Sequence, residues 1–352
     1  MNLPQRLNRK HLTARGGITV TLSGITKKGN VGGGSVGKQG KSGISWAGAT
    51  WSPIRGCTGC GSAGPHGERC WGARWAHRQN HLLPGYATAN GWTGRVGLIE
   101  SALEKPLRRP TPTCYAVGLM GDLFHKDLPD WARDRVFAVM QHAYSRGHRF
   151  ICLTKQNERM TAYFQAVDLY ERWLDAVDPI RRKWTGLPSI GLSNPTIRPL
   201  PHVILGVSAW DQASAEEACR WLRQTPAACR LLCLEPLLGA IPELDLDGIG
   251  WVIVAGETGP GARPMHPHWV RAIRDQCQAA GVPFWFKAWG SWVPSTYDGV
   301  YHNPLCDGPQ FSPRAHGRDC HDFGDGYGAV RLKRAGRLLD GEEHNGFPEI
   351  PR

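Results

Sequence analysis

Short apolar runs alternate with stretches of helical periodicity along most of this chain. The runs are Thr113–Leu119, Arg149–Thr154, His202–Ser208, Arg230–Leu234, Trp251–Ala255 and Pro283–Lys287. Between them, Pro129–Ser145, Asn157–Ala176, Ala213–Arg223 and Pro267–Ala280 repeat apolar residues at helix spacing. The runs are continuously apolar, as strands are when a parallel sheet is covered on both faces. With Gly43–Ala47 as a first strand, the pattern gives about seven strands and predicts a complete or partial (β/α) TIM-like barrel. Pro129 stands where a helix begins, at a position whose N–H has no helical partner, and Gly281 and Pro283 close the last helix before PFWFK.

Composition sets the limits of this barrel. At 352 residues, with 41% hydrophobic and 20% charged residues, the chain is long and apolar enough for one large core. No apolar run approaches the roughly 18 residues of a membrane span. The N-terminus has no apolar signal core, so the expectation is a cytoplasmic protein without a membrane partner. Residues 178–201 and 294–329 are rich in Gly and Pro and read as irregular insertions in a barrel domain spanning 44–352.

Charge changes the picture at the N-terminus. Residues 1–43 hold Arg6, Arg9, Lys10, Arg15, Lys27, Lys28, Lys38 and Lys41 and no acid, so they carry +8 of the net +12. A Gly-rich basic segment of this kind reads as a flexible arm able to contact nucleic-acid phosphates. Its GKQGKSG run lacks the spacing and the preceding strand of a phosphate loop.

Polar residues recur where the apolar runs stop, which is where a (β/α) barrel gathers its chemistry. Asp122 and His125 follow the first run, Lys155 the second, and Ser208 and Asp211 the third; Glu235, Glu257, and Lys287 with Trp289 follow the next three. A single one reads as a strand-end ion pair, whereas the set reads as the lining of one pocket.

Eleven cysteines, an odd and scattered set, argue against a disulfide framework. Cys114, Cys152 and Cys233 lie inside apolar runs and read as small buried hydrophobes. Cys57, Cys60 and Cys70 cluster instead, in ATWSPIRGCTGCGSAGPHGERCWGARWAHR. With His66 they form Cys-x2-Cys-x5-His-x3-Cys, close to a zinc knuckle, which binds single-stranded nucleic acid and in which Trp71 would stack on a base. Three thiolates alone would bind three irons of a [4Fe–4S] cluster and leave the fourth open. The spacing taken alone favours zinc. Cys306, His316, Cys320 and His321 are a weaker set for a second metal.

The segments TWSPIRGC, MGDLFHKDLPD, LTKQNERM, LGVSAWDQ, LEPLLGAI, WVIVAGETGPGARPMHPHWVRAIRDQC, PFWFKAWGSW and AGRLLDGEEHNGFP span most of residues 44–348. Together they resemble a phage- and prophage-associated three-cysteine family of largely unknown function, itself similar to radical S-adenosylmethionine proteins. That resemblance implies an iron–sulfur barrel enzyme with Cys57, Cys60 and Cys70 on a [4Fe–4S] cluster. The family's middle cysteine falls at Gly67, which leaves Cys60 or His66 as the middle ligand.

Within the resemblance, Gly256-Glu257 is similar to a strand end that holds the amino group of S-adenosylmethionine. Lys155 or Lys287 would pair with its carboxylate, and Asp122 or Glu235 with its ribose hydroxyls. Ser208 joins Gly256, Glu257 and Lys287 as cofactor-binding candidates, and Glu235, Lys155 and Asp122 are the catalytic candidates. Arg263 reads either as a phosphate ligand or as a loop-fixing ion pair. The functional expectation is a radical S-adenosylmethionine-type enzyme, served by an electron donor, that modifies or repairs nucleic acid or a nucleotide. A non-enzymatic zinc-knuckle-like protein binding single strands and a metal-stabilised barrel hydrolase or glycosylase are the alternatives.

Overall fold

In the computed structural model, which describes residues 44–60, 70–79, 84–183, 199–296, 320–323, 327–331 and 335–350, the apolar runs become strands of one parallel sheet. Its strands are β1 (Ala49–Trp51), β2 (Cys114–Val117), β3 (Arg149–Thr154), β4 (Val203–Ala209), β5 (Cys229–Leu234), β6 (Trp251–Ala255) and β7 (Phe284–Ala288). They lie side by side in chain order, without the reversal that marks a doubly wound sheet. No pairing joins β1 to β7 among the described residues, so the fold is a partial (β/α) barrel. The longer helices are α1 (Trp71–Arg78), α2 (Asp130–Ala143), α3 (Asn157–Gln165), α4 (Leu169–Lys183), α5 (Gln212–Gln224) and α6 (Pro267–Ala279). No helix among the described residues is long and apolar enough to cross a membrane.

The period of two along each strand sorts its side chains between two cores. Tyr115, Phe150, Val203, Leu232, Val252 and Phe286 face the helices and join the larger apolar cluster. Ala116, Ile151, Ile204, Leu231, Ile253 and Trp285 face the opposite, inner side, where Trp46 and Ile350 complete a second cluster. The C-terminal segment reaches both the sheet edge and the inner face. His344 and Gly346 exchange backbone hydrogen bonds with Phe286 and Phe284 along the free side of β7. Trp251 Nε1 donates to the Gly346 carbonyl at 2.7 Å, and Arg149 Nη2 to that of Ile350 at 3.4 Å. An edge strand that would otherwise expose a row of unpaired groups is thereby covered.

Four sequence expectations need correction. Gly43–Ala47 is not the first strand: Ile44–Ala47 forms a turn, and pairing starts where Gly48 donates to the Cys114 carbonyl at 3.0 Å. Trp46 and Ala47 are buried in the inner cluster, so their apolar signal reflects packing rather than pairing. The helix expected over 157–176 is two helices, because Ala166 is extended and ends α3. The insertion expected from 178 begins later, since α4 runs through Pro179 to Lys183. Leu169, Trp173, Ala176 and Ile180 recur at helical spacing on the core and hold it there. Finally, the region 294–329 is not wholly irregular. It contributes to an antiparallel sheet of β8 (Trp292–Thr296), β9 (Cys320–Asp322) and β10 (Tyr327–Arg331), with Pro294 on the edge strand where a missing N–H is tolerated. Residues 1–43, His66, Cys306 and His316 lie outside the described residues; His321 packs its ring on Trp292 and Phe323.

Two local features carry quantitative expectations. Asp211 caps α5, its Oδ1 accepting from Ser214 N at 2.9 Å while Ser214 Oγ accepts from Asp211 N at 3.0 Å. The strand-end reading of Asp211 therefore resolves to a helix cap, and Asp211→Ala is expected to cost about 1 kcal/mol in chemical denaturation.

His202 is buried between α2 and β3, with Nε2 donating to the Met140 carbonyl at 2.8 Å and the ring against Tyr144 and Phe150. Burial pushes its pKa down to about 4 from 6.5. The unfolded chain therefore takes up a proton near pH 6.5 that the folded chain refuses. Stability is full above that pH and falls as the pH drops towards 4, by roughly 3 kcal/mol at most. The melting temperature should decline across this window, and less steeply in His202→Gln.

Candidate functional site

The parity that separates the two cores continues past the strand ends. Lys155, Ser208, Glu235 and Lys287 are in phase with Leu153, Ile204, Cys233 and Trp285, so the sheet presents them on its inner side at the C-terminal rim. Lys287 Nζ donates to Glu235 Oε1, bridging the ends of β5 and β7 across β6. Cys233 is a buried residue in the same neighbourhood. Its thiol is pushed up to about 12 by burial and by Glu235, against the opposing pull of Lys287 and Lys155.

The loop after β2 brings in the second part of the site. Gly118, with φ of +74°, ends the strand, and Asp122 follows in a tight turn. Its carboxylate accepts from Thr154 Oγ1 at 2.7 and 2.9 Å, from Phe124 N at 2.8 Å and from Lys155 N at 3.3 Å. These donors fix the carboxylate in place. His125, buried, accepts from Asp127 N at Nδ1 (3.2 Å), so Nε2 carries the proton and donates to Thr58 Oγ1 at 3.1 Å. Burial lowers the pKa of this histidine, in keeping with a neutral ring.

That bond ties the β2 loop to the cysteine loop. Gly56 donates to the Met120 carbonyl at 3.0 Å, and a side chain on Gly56 would lie 1.8 Å from the Arg95 carbonyl oxygen. Only glycine lets the two backbones approach so closely, at a φ of +93°. Cys57 follows, half-buried, its sulfur accepting from Gly59 N at 3.3 Å. Cys60 is half-buried, and Cys70, also half-buried, directly precedes α1.

Electrostatics shows that these loops share one space. Burial pushes the Cys57 thiol up to about 11, and Asp122, Cys60 and Cys70 push it in the same direction, while the Gly59 N–H opposes them. The Cys60 thiol is raised by burial, by Cys70 and by Asp122, and lowered by Lys155. Lys155 thus acts both on Cys60 and on Cys233, the buried thiol beside the Glu235–Lys287 pair. Its half-buried ammonium has no hydrogen-bond acceptor among the described residues. The thiols are gathered but not closed into a cage: among the described residues, no group of three His, Cys, Asp or Glu side chains is arranged to hold a metal ion.

Glu257 takes a different position. It is buried, and Arg263 from the following loop grips it through Nε at 2.8 Å, Nη2 at 2.9 Å and backbone N at 2.9 Å. Of the two readings of Arg263, the structure shows the loop-fixing ion pair. Gly256 has an equally local task. Gly256 N donates to the Ala288 carbonyl at 2.9 Å, and a Cβ there would lie 2.1 Å from the Trp289 carbonyl oxygen. Trp289 itself is buried and donates Nε1 to the Leu338 carbonyl at 2.8 Å.

The structure therefore brings Cys57, Cys60, Cys70, Asp122, Lys155, Glu235 and Lys287 to one rim, with Ser208 in phase beside them. Thr154 and Cys233 join them unforeseen by the sequence reading. Strand parity carried the signal for Cys233, which alternates with Glu235, whereas Thr154 is out of phase with Lys155 and joins the site through its bond to Asp122. No curated protein and no solved structure matches the chain. A family model described as a protein of unknown function, DUF5131, matches residues 41–348. That match takes in the whole barrel and its cysteine loop, and the chain belongs to the DUF5131 family.

Proposed function

We propose that this protein is a radical S-adenosylmethionine-type iron–sulfur enzyme that modifies or repairs nucleic acid or a nucleotide. The observation that carries this reading is that three half-buried thiols lie within electrostatic reach of one another, of Asp122 and of Lys155, whose ammonium has no acceptor among the described residues, at the C-terminal rim of a partial barrel. The donor set fits: three soft sulfurs on a Gly-rich loop suit three irons of a [4Fe–4S] cluster. Raised thiol pKa values also mean that loading a metal ion releases protons, as cysteine sites do. Cys57, Cys60 and Cys70 would hold the cluster, which with S-adenosylmethionine supplies a 5′-deoxyadenosyl radical for hydrogen abstraction.

The chain's own residues then have definite tasks. Lys155 presents a positive charge, free of protein acceptors among the described residues, to an anionic group such as the cofactor carboxylate. Asp122, held by Thr154 and two backbone N–H groups, presents fixed acceptor oxygens suited to ribose hydroxyls. Glu235 and Lys287 neutralise one another at the same rim. Glu257 meets the cofactor's ammonium only if Arg263, whose side chain is 46% exposed, swings outward. An electron-donor partner is required by the chemistry. The net positive charge of the chain favours a polyanionic substrate.

The test is product analysis. Anaerobically reconstituted protein incubated with reductant and S-adenosylmethionine should release 5′-deoxyadenosine in catalytic amounts. Absence of that product from protein with a fully loaded cluster would reject the proposal.

A further inference from the structure

The outer face of α1 combines two features that rarely share one surface. Trp71 and Trp75 are 44% and 40% exposed, two of the few large apolar side chains that face solvent among the described residues. They lie one turn apart, and Arg78 continues the same face one turn further on. Arg74 stands beside them, half-buried and close to Gly259, and the helix contains no acidic residue. The opposite face is committed to packing. Ala76 joins Ala87, Met120 and Trp92 in a small core, and Gly72 lies against Trp92 and Cys70. The exposed tryptophans are therefore not a disordered remnant of the core but the free side of an anchored helix.

The helix also stands at the site. Cys70 is its N-cap residue, and Arg74 reaches the loop that follows β6. Whatever lies on α1 lies beside the cysteine cluster.

We infer that the Trp71–Trp75–Arg78 face of α1 is a stacking platform for single-stranded nucleic acid, which leads the substrate strand to the barrel rim. The inference rests on the nucleic-acid reading of the site. Two indoles one turn apart are separated by about 6 Å along the helix axis. Bases stacked in a duplex rise by only about 3.4 Å. Successive bases can meet both rings only when they are unstacked, so the spacing selects a single strand over a duplex. Arg74 and Arg78 flank the rings where the phosphates of that strand would run, and base–aromatic stacking is tolerant of sequence. Two half-exposed rings on an eight-residue helix offer too little apolar area for insertion into a membrane surface.

The test uses the full chain, without reductant or S-adenosylmethionine, so its outcome is independent of 5′-deoxyadenosine formation. A fluorescein-labelled single strand of mixed sequence and the matching duplex are titrated at two salt concentrations, with anisotropy as the readout. The double substitution Trp71→Ala/Trp75→Ala should weaken single-strand binding by about tenfold or more and leave duplex binding unchanged. Trp71→Phe/Trp75→Phe, which keeps both rings, should stay within about threefold of wild type. Arg78→Ala should lower the salt slope by about one, a readout that survives if the double alanine variant fails to fold. The basic residues of positions 1–43 are present in every variant and cancel in these comparisons. Equal single-strand affinity for wild type and a folded double alanine variant would overturn the inference. So would an Arg78→Ala slope identical to wild type, or tryptophan-dependent binding to vesicles of anionic lipid instead of to the strand.

Discussion

Cys57→Ser and Cys70→Ser should each remove the iron and abolish 5′-deoxyadenosine formation, by at least about a hundredfold, while melting within a few degrees of wild type. The two effects separate because the thiols contribute little to the fold. Cys57 is half-buried and accepts one weak bond from Gly59 N, which a serine hydroxyl can also accept. Cys70 precedes α1 without capping it through its side chain. A serine oxygen is a poor substitute for a thiolate on iron, and a three-ligand cluster has no spare donor. Cys60→Ser is the informative third case. Cys60 lies within the influence of Cys70, Asp122 and Lys155, so the structure groups it with the others. Its loss should match theirs; a Cys60→Ser protein with normal iron would return the middle position to His66.

Gly256→Ala should be among the most damaging single methyl groups in the barrel, costing at least about 4 kcal/mol and leaving little folded protein. The added carbon would sit 2.1 Å from the Trp289 carbonyl oxygen and 2.7 Å from its carbon. Both obstacles are backbone, and neither can rotate away. Gly290 mirrors the arrangement, since a Cβ there would meet the Glu257 oxygen at 2.2 Å at a φ of +83°. The ends of β6 and β7 are therefore pressed together, held by Gly256 N on Ala288 O and by Ser291 N on Glu257 O at 2.8 Å. Expression followed by circular dichroism checks this result. The contrast with Asp211→Ala, which loses only a cap, is part of the expectation.

Gly256 also shows how two reasons can meet at one position. Next to Glu257 at a strand end it invites a cofactor role, and packing against the Trp289 backbone by itself already requires glycine there. Other positions were plain in the sequence. Continuous apolar runs identified six of the seven strands of the main sheet, because burial on both faces leaves no room for polar residues. β1 was misplaced, because three residues with one fully buried side chain leave almost no periodic signal, and Trp46 just before them is buried for other reasons. β8 to β10 were hidden for a similar reason: a small antiparallel sheet with Pro294 on its edge reads like a loop.

The site was legible as a list but not as a geometry. Lys155, Glu235 and Lys287 could be named from strand ends, whereas their grouping depends on strand parity and strand order. That Glu257 is engaged by Arg263 and Asp211 by Ser214 could not be read from residue types, since a carboxylate at a strand end suits a ligand as well as a neighbour.

On the proposed function the three cysteines form an open iron–sulfur site rather than a closed zinc site. Metal and sulfide analysis of the full chain purified without oxygen tests this most directly. About four irons and four sulfides per chain are expected, with substoichiometric zinc. One zinc per chain, with neither iron nor sulfide, would contradict it.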